Sequence, residues 1–457
     1  MQANAVSYPR YMWNWFGVLV LVTLTNCTKP NANKNCSDQA CPDPMYPYCD
    51  VEGAISGEPE TCISVACEPG SIAACVEDAA LTCNANGDGY DRVPCELGCK
   101  SSPSPHCGFI EPRYVPDVCA SPATSDALVV SGSVSLDPNL DITCTGGLIP
   151  QANSPDICVV HFKTISVQPQ SALAITGTRD ATGRPIALVA DMDLTIEGTL
   201  DVGAKGVENG PGGGITFSGG APNYSTKVGG GGAGGQTAGG SGGSASLDGG
   251  AFNAGGALAD PALLGDFMGG AASYRETNGD SAGGGGVVTL VSCRGQLAVS
   301  GRIMAGGGGG RGGVFVELVP GSGSGFAVPG EGGGAGGYVV LQGAHISVSG
   351  SMFANGSGGG AGMQSNNAAG AAGANGTDGP PLGGFEANGG GRGGTGGFAS
   401  TAPGVGGKPT SSLATAGGGG GSVGFFQAYS PEGFEPSIVP VELSPPMFQP
   451  KRTLVVR

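Results

Sequence analysis

Four carboxylates along one short stretch, Asp191, Asp193, Glu197 and Asp201, are the residues of this chain best suited to catalysis. Paired carboxylates cleave glycosidic bonds, one as acid and the other as base or nucleophile, and β-helical polysaccharide lyases and hydrolases gather such groups from neighbouring coils. Period-two alternation would put these four on one side of an extended segment. In two related stretches downstream, however, the positions of Asp193, Glu197 and Asp201 hold Gln296, Ser300 and Met304, then His345, Ser349 and Phe353. The acids therefore do not stack from coil to coil, and a solvated strand face is the reading taken. Ser241 lies in GGSGG, the pattern of a nucleophile elbow, but glycine flanks it where the elbow needs a strand and a helix. His106, His161 and His345 are the only histidines, and no triad can be drawn through them without an unsupported long-range meeting. No catalytic residue and no cofactor is assigned.

Cysteine chemistry is better supported. An apolar run from Met12 to Thr25 follows Arg10 and is too short for a comfortable membrane span, so it reads as the core of an export signal. It ends in LTNC, residues 24 to 27, which resembles the bacterial lipobox, whose cysteine is diacylated and becomes the mature N-terminus. Asn26 stands where that motif usually has Gly, Ala or Ser, so ordinary signal cleavage and an uncleaved anchor stay open beside lipidation of Cys27. Without Cys27 the fifteen cysteines become fourteen, an even number suited to an oxidising compartment. Eleven are crowded together: Cys36, Cys41, Cys49, Cys62, Cys67, Cys75, Cys83, Cys95, Cys99, Cys107 and Cys119. Cys144, Cys158 and Cys293 must supply a partner for that odd number. A zinc site could be drawn from Cys95, Cys99, His106 and Cys107, but export favours disulfides, and no metal is assigned. NANGDG, residues 84 to 89, opens like a calcium loop but has Cys95 where the closing acid belongs, so it reads as a turn.

Composition limits what can position these groups. The chain has 457 residues, of which 92 are glycine, with only 15 Phe, 10 Tyr and 2 Trp, so a large part cannot be conventional core. A net charge of −16 opposes binding to nucleic acid or anionic membrane surfaces. The cysteine-rich stretch has no long apolar periodicity and needs covalent staples to fold.

Beyond it, one frame recurs: a glycine with apolar residues two and four positions away on both sides. Gly301 has Leu297, Val299, Ile303 and Ala305; Gly350 has Ile346, Val348, Met352 and Ala354; Gly198 has Leu194, Ile196, Leu200 and Val202. Gly132 fits with Leu128, Val130, Val134 and Leu136, and Gly177 fits in part with Leu173 and Ile175. The frame predicts two strands around a bend, with the glycine at a close backbone approach. Such a unit buries its apolar face only by stacking on copies of itself, so the expected fold is all-β, a parallel β-helix or β-solenoid with long glycine-rich insertions. From Gly177 to Gly198 is 21 residues, one coil; the larger spacings carry insertions in which coil or polyglycine packing is expected rather than helix. One short helix is expected at residues 260 to 270, with Asp260 as cap and Pro261 in the first turn.

An exported cysteine-rich head, then CVVHFKTISV, ALVADMDLTIEGTLDVGAKG and glycine walls separated by VSGRIMAGGGG and VSGSMFANGSGGG, resembles a family of uncharacterised glycine-rich bacterial surface lipoproteins, PE-PGRS-like by composition. The resemblance covers residues 120 to 425 and implies β-helical architecture and a surface location, with no activity attached. The expected plan is a signal peptide (1–26), a linker after the lipidated cysteine (27–35) and a disulfide module (36–119). A β-helical domain (120–430) with inserts at 203–286, 306–337 and 355–421 follows, then an irregular Pro-rich segment (431–457) capping its edge. The expected role is non-enzymatic, structural or adhesive, at the outer membrane or cell surface, with secretion as the alternative location. Expected partners are the membrane through the lipid and envelope or extracellular polysaccharide or surface proteins, and not nucleic acid. The alternative function is a carbohydrate-binding or polysaccharide-degrading protein using its outer strand faces.

Overall fold

The computed structural model describes residues 36, 41 and 43–457, except 65–66, 178–182, 215–219, 224, 245–253, 257–265, 274–281, 365–366 and 448–451. Cys27, the export signal and the start of the expected helix at Asp260 lie outside the described residues. The chain divides into two compact units, one of residues 1–93 with 101–106, the other of 94–100 with 107–457.

The smaller unit is antiparallel. Tyr48–Asp50 pairs with Thr61–Ile63, and Ile72–Val76 pairs with Ala79–Cys83. Its buried apolar cluster is Ala74, Val76 and Leu81, too little to hold a fold alone. Disulfides Cys36–Cys49, Cys41–Cys62 and Cys67–Cys83 supply the rest. Each closes a loop of 13, 21 or 16 residues, a restriction of the unfolded chain worth about 3 kcal/mol apiece. Asp50 is buried and accepts hydrogen bonds from the amides of Ala54, Ile55 and Ser56. Burial opposes its charge, but those donors outweigh it and hold the carboxyl below the usual range.

The larger unit is built on three parallel sheets. The first contains Ala127–Val130, Thr164–Val167, Leu194–Ile196, Gln296–Val299, His345–Val348 and Ser437–Ile438, stacked in that order. The second contains Ser133–Leu136, Ala172–Ile175, Thr199–Asp201, Arg302–Met304, Ser351–Phe353 and Glu442–Ser444. The third contains Ile157–Phe162, Ile186–Ala190, Val287–Ser292, Tyr338–Gln342, Phe425–Pro431 and Arg452–Val456. Gly147–Ile149 at one end of the third sheet and Ile110–Glu111 at the other are antiparallel and cover its edges.

The recurring frames stand in register. Leu194, Leu297 and Ile346 are Cα partners in the first sheet, as are Ile196, Val299 and Val348. Leu200, Ile303 and Met352 align in the second. All nine are buried and belong to one apolar cluster with Leu188, Leu290 and Leu341 of the third sheet. The other face of the third sheet is also buried, against Phe109, Ile110, Val115 and Phe267, which is why its strands read as unbroken apolar runs. Gly198, Gly301 and Gly350 form the corner between the first and second sheets. A β-carbon on Gly301 would stand 2.0 Å from the Gly198 carbonyl oxygen, and one on Gly350 2.0 Å from that of Gly301. The amides of Gly198, Gly301 and Gly350 each donate to a carbonyl in the preceding layer, those of Val167, Ile196 and Val299. Close backbone approach is therefore what these glycines permit.

Three expectations change. The Gly177 match is out of frame: Leu173 pairs with Leu200, so Leu173 and Ile175 belong to the strand after the bend. That layer enters the first sheet at Ile165, which pairs with both Leu128 and Leu194, and a four-residue turn, Gln168–Ser171, replaces the single-glycine corner. The 431–457 segment is not irregular; it adds a strand to every sheet. The disulfide module does not extend to residue 119, because Leu97, Phe109, Ile110, Val115 and Cys119 pack in the larger unit.

The inserts all leave the second sheet and return to the third, after Asp201, Met304 and Phe353, so they lie side by side. There, among the described residues, straight glycine-rich segments form a lattice bonded at every third residue. The amides of Gly330, Gly333 and Gly336 donate to the carbonyls of Ala416, Gly419 and Ser422, whereas those of Glu331, Gly334 and Gly337 donate to Arg311, Gly308 and Ala305. The first set runs parallel and the second antiparallel, and the repeat of three is that of polyproline II, whose isolated form has no internal hydrogen bonds. Asparagine side chains join the lattice as acceptors: Asn375 Oδ1 accepts from the amides of Gly206 and Gly309, and Asn209 Oδ1 from that of Gly284.

Two comparisons test this packing. Val299→Asp should cost about 3 to 5 kcal/mol, because it buries an unpaired charge, whereas Arg302→Ala removes an exposed pair with Asp378 and should cost about 1 kcal/mol or less. Gly360→Ala would place a β-carbon 1.8 Å from the Arg311 carbonyl oxygen and should cost about 3 kcal/mol; Gly379, with no atom within 4 Å of that position, should accept alanine within about 0.5 kcal/mol. Denaturant unfolding of the four variants reads both differences.

Candidate functional site

Asp191 lies just past Ile186–Ala190 and is buried, 7% exposed. Its Oδ1 stands 2.8 Å from Nε2 of His161, itself 6% exposed on the neighbouring strand, and its Oδ2 accepts the Ala123 amide at 2.8 Å. The His161 backbone amide donates to Thr145 Oγ1, and that hydroxyl donates back to the His161 carbonyl. Burial works against the charge of Asp191, but His161, the Ala123 amide and the nearby Arg294 guanidinium together hold its carboxyl below the ordinary value. Arg294 is itself lowered by burial; it reaches the Cys119 carbonyl and lies over the Phe109 ring. Alongside is the Cys119–Cys293 disulfide, which closes 174 residues. The group is an electrostatic and covalent clasp that fastens segment 119–126 to the third sheet.

The four carboxylates expected on one face do not share it. The chain turns between the third and first sheets at Met192 and Asp193 and again at Glu197 and Gly198, so period-two alternation does not carry across. Asp191 is engaged inward. Asp193 Oδ1 accepts the Gln296 amide, Glu197 is exposed at the corner, and Asp201 accepts from Gly203 and pairs with Lys205 at 3.4 Å. Ser241 lies within the glycine lattice, where its carbonyl accepts the Gly406 amide. His106 Nδ1 meets the Ser104 carbonyl oxygen, and His345 stands 3.5 Å from Glu96 and edge-on to Phe434. Asn84 and Asp88 bond each other across a closed turn.

Cys95–Cys107 and Cys144–Cys158 are disulfides, and Cys75 and Cys99 are disulfide-bonded as well. Among the described residues one group of three potential ligands clusters closely, Cys36, Cys41 and Cys49, and all three sulfurs are in disulfides rather than free thiolates. Sequence reasoning missed an aromatic group on the outer face of the third sheet. Tyr114 and Tyr338 hydroxyls meet at 3.0 Å, Tyr338 and Tyr429 both donate to Gln427 Oε1, and Phe267 stacks on Tyr114. Burial and the neighbouring tyrosines push the Tyr338 hydroxyl far above the usual phenol range. Its only signal in the sequence is that Tyr338, Gln427 and Tyr429 sit inside apolar runs; Tyr114 comes from more than 200 residues away. Compared with known protein families, curated proteins and solved structures, the chain matches none.

Asp191→Ala should cost about 3 kcal/mol at pH 7, since it strands a buried histidine and a half-buried amide. Because the folded carboxyl is lowered, its contribution is complete above the unfolded value of about 4 and is lost as pH falls through the folded value. The stability gap between wild type and Asp191→Ala, followed by urea unfolding from pH 7 down to pH 3, should therefore narrow.

Proposed function

We propose that this chain is a non-enzymatic bacterial surface lipoprotein, tethered through Cys27, whose stacked sheets form a parallel β-helix that carries a rigid glycine lattice outward for an adhesive or structural role. The observation that carries the reading is the shared exit of the three inserts, which leave one corner of the stack and lock together backbone to backbone. A lattice without side chains has little to recognise or transform within its body, but it holds its distal turns in fixed positions. Exposed apolar side chains stand along the inserts: Leu318, Val319 and Phe326 in the hairpin of Phe315–Glu317 with Gly325–Ala327, and Phe385 and Leu413 in the last insert. Contact surfaces of this kind suit adhesion. The extensive disulfide bonding fits an oxidising compartment, and the lipobox-like LTNC gives the tether its chemistry.

Metabolic labelling with a palmitate analogue in the native cell tests the tether. Labelling of the wild type that disappears in Cys27→Ser is the expected result; equal labelling of both, or labelling of neither, overturns it. Deleting the hairpin tip, residues 315–327, should lower adhesion of the cells to their substratum while the protein remains at the surface, as read by surface immunostaining.

A further inference from the structure

Beyond the tethered, adhesive role, and independently of it, we infer that the larger unit binds a ring-bearing carboxylate such as a terminal uronate, in a cavity of about 280 Å³ where residues 111–116 meet the last strand of the third sheet. The walls contribute polar groups in different states. Glu111 is fully engaged: Arg457 donates to both its oxygens, through Nε at 2.7 Å and Nη2 at 2.5 Å. Arg113 is not. Its backbone amide is fixed by Gln342 Oε1 at 2.8 Å, and its guanidinium lies over two aromatic rings, 5.4 Å from the centre of Tyr114 and 5.8 Å from that of Tyr429. Among the described residues that guanidinium has no carboxylate partner and no hydrogen-bond acceptor. The N–H groups of this guanidinium are therefore free to take a carboxylate by two parallel bonds.

The rest of the cavity selects what the carboxylate is attached to. Thr453 supplies an exposed hydroxyl that can bond a ligand hydroxyl, and Pro112 and Leu454 give an apolar wall suited to the face of a ring. The volume admits one ring of sugar size. Arg457 bridges Glu111 and Asp117, which leaves that group one negative charge in excess, whereas Arg113, exposed on the cavity wall, offers a positive charge that no carboxylate takes up, in a chain whose net charge is −16. An acidic ligand is therefore attracted at the Arg113 guanidinium alone and repelled by the surface around it, which favours a small terminal group over a long polyanion.

Titration calorimetry of the full oxidised chain with glucuronate, glucose and acetate at low ionic strength tests the assignment. Glucuronate should bind at least about tenfold more tightly than glucose, which lacks the carboxylate, and than acetate, which lacks the ring. Arg113→Gln should lower glucuronate affinity by about tenfold or more with the melting temperature unchanged, and Arg113→Lys, which keeps the charge without the fork, should fall between. Thr453→Val should weaken glucuronate without affecting acetate. Glucuronate binding no tighter than glucose, acetate binding as tight as glucuronate, or Arg113→Gln binding like wild type would each overturn the site. None of these outcomes bears on labelling at Cys27.

Discussion

At glycine after glycine in the larger unit, a carbonyl oxygen from another segment occupies the space a β-carbon would need, at 2.0 Å for Gly301 and Gly350 and 1.8 Å for Gly360. That direct approach of backbone to backbone sets the spacing of everything else. At the corner between the first and second sheets it lets successive layers follow the same bend, so their aliphatic side chains fall into columns. Within the inserts it lets segments with almost no side chains satisfy their amides laterally. A β-carbon at either place would push two segments apart and break the hydrogen bonds on both sides of it.

The unit thus has two interiors held by different forces. Between the sheets, Leu194, Leu297 and Ile346 and their neighbours are stabilised by removal of apolar surface from water, about 25 cal/mol for each Å². In the glycine lattice little apolar area exists to bury, and glycine loses more conformational freedom on folding than any other residue. There the stabilisation must come from backbone hydrogen bonds made in a dry, dense environment, where leaving an amide unpaired is costly. The sheets make this feasible by fixing both ends of every insert: 203–286 is anchored between Asp201 and Val287, and 354–424 between Phe353 and Phe425. The asparagines at 209 and 375 add to this satisfaction, since each puts a side-chain carbonyl on lattice amides.

Polar groups in the larger unit serve the same end of fastening distant segments. The pair of His161 and Asp191 and the Cys119–Cys293 disulfide bind the chain before the sheets to strands far along it, and the hydroxyls of Tyr114, Tyr338 and Tyr429 converge on one another and on Gln427. A carboxylate that looks catalytic by its spacing, Asp191, is used up in this way. The neighbouring acids lie at different corners of the same layer, each with its own local surroundings, so the spacing in the sequence does not bring them to one shared face.

The all-β character, the apolar columns and the presence of inserts were legible because they depend on local patterns: aliphatic residues at period two, a glycine where the strand must bend, and uninterrupted glycine where no core can form. The even number of cysteines beyond Cys27 follows from composition in the same way. Register across a turn of unknown length was not legible, which is why Leu173 and Ile175 align with Leu200 and Val202 rather than with Leu194 and Ile196 as their distance from Gly177 suggested. Nor could the sequence reveal that Arg113 lies over rings from residues 114 and 429, that Asp191 faces His161, or that three inserts share one corner. Local residue types determine what each segment is able to bury; which segments meet is decided only when the sheets close around a common interior and bring together residues separated by hundreds of positions.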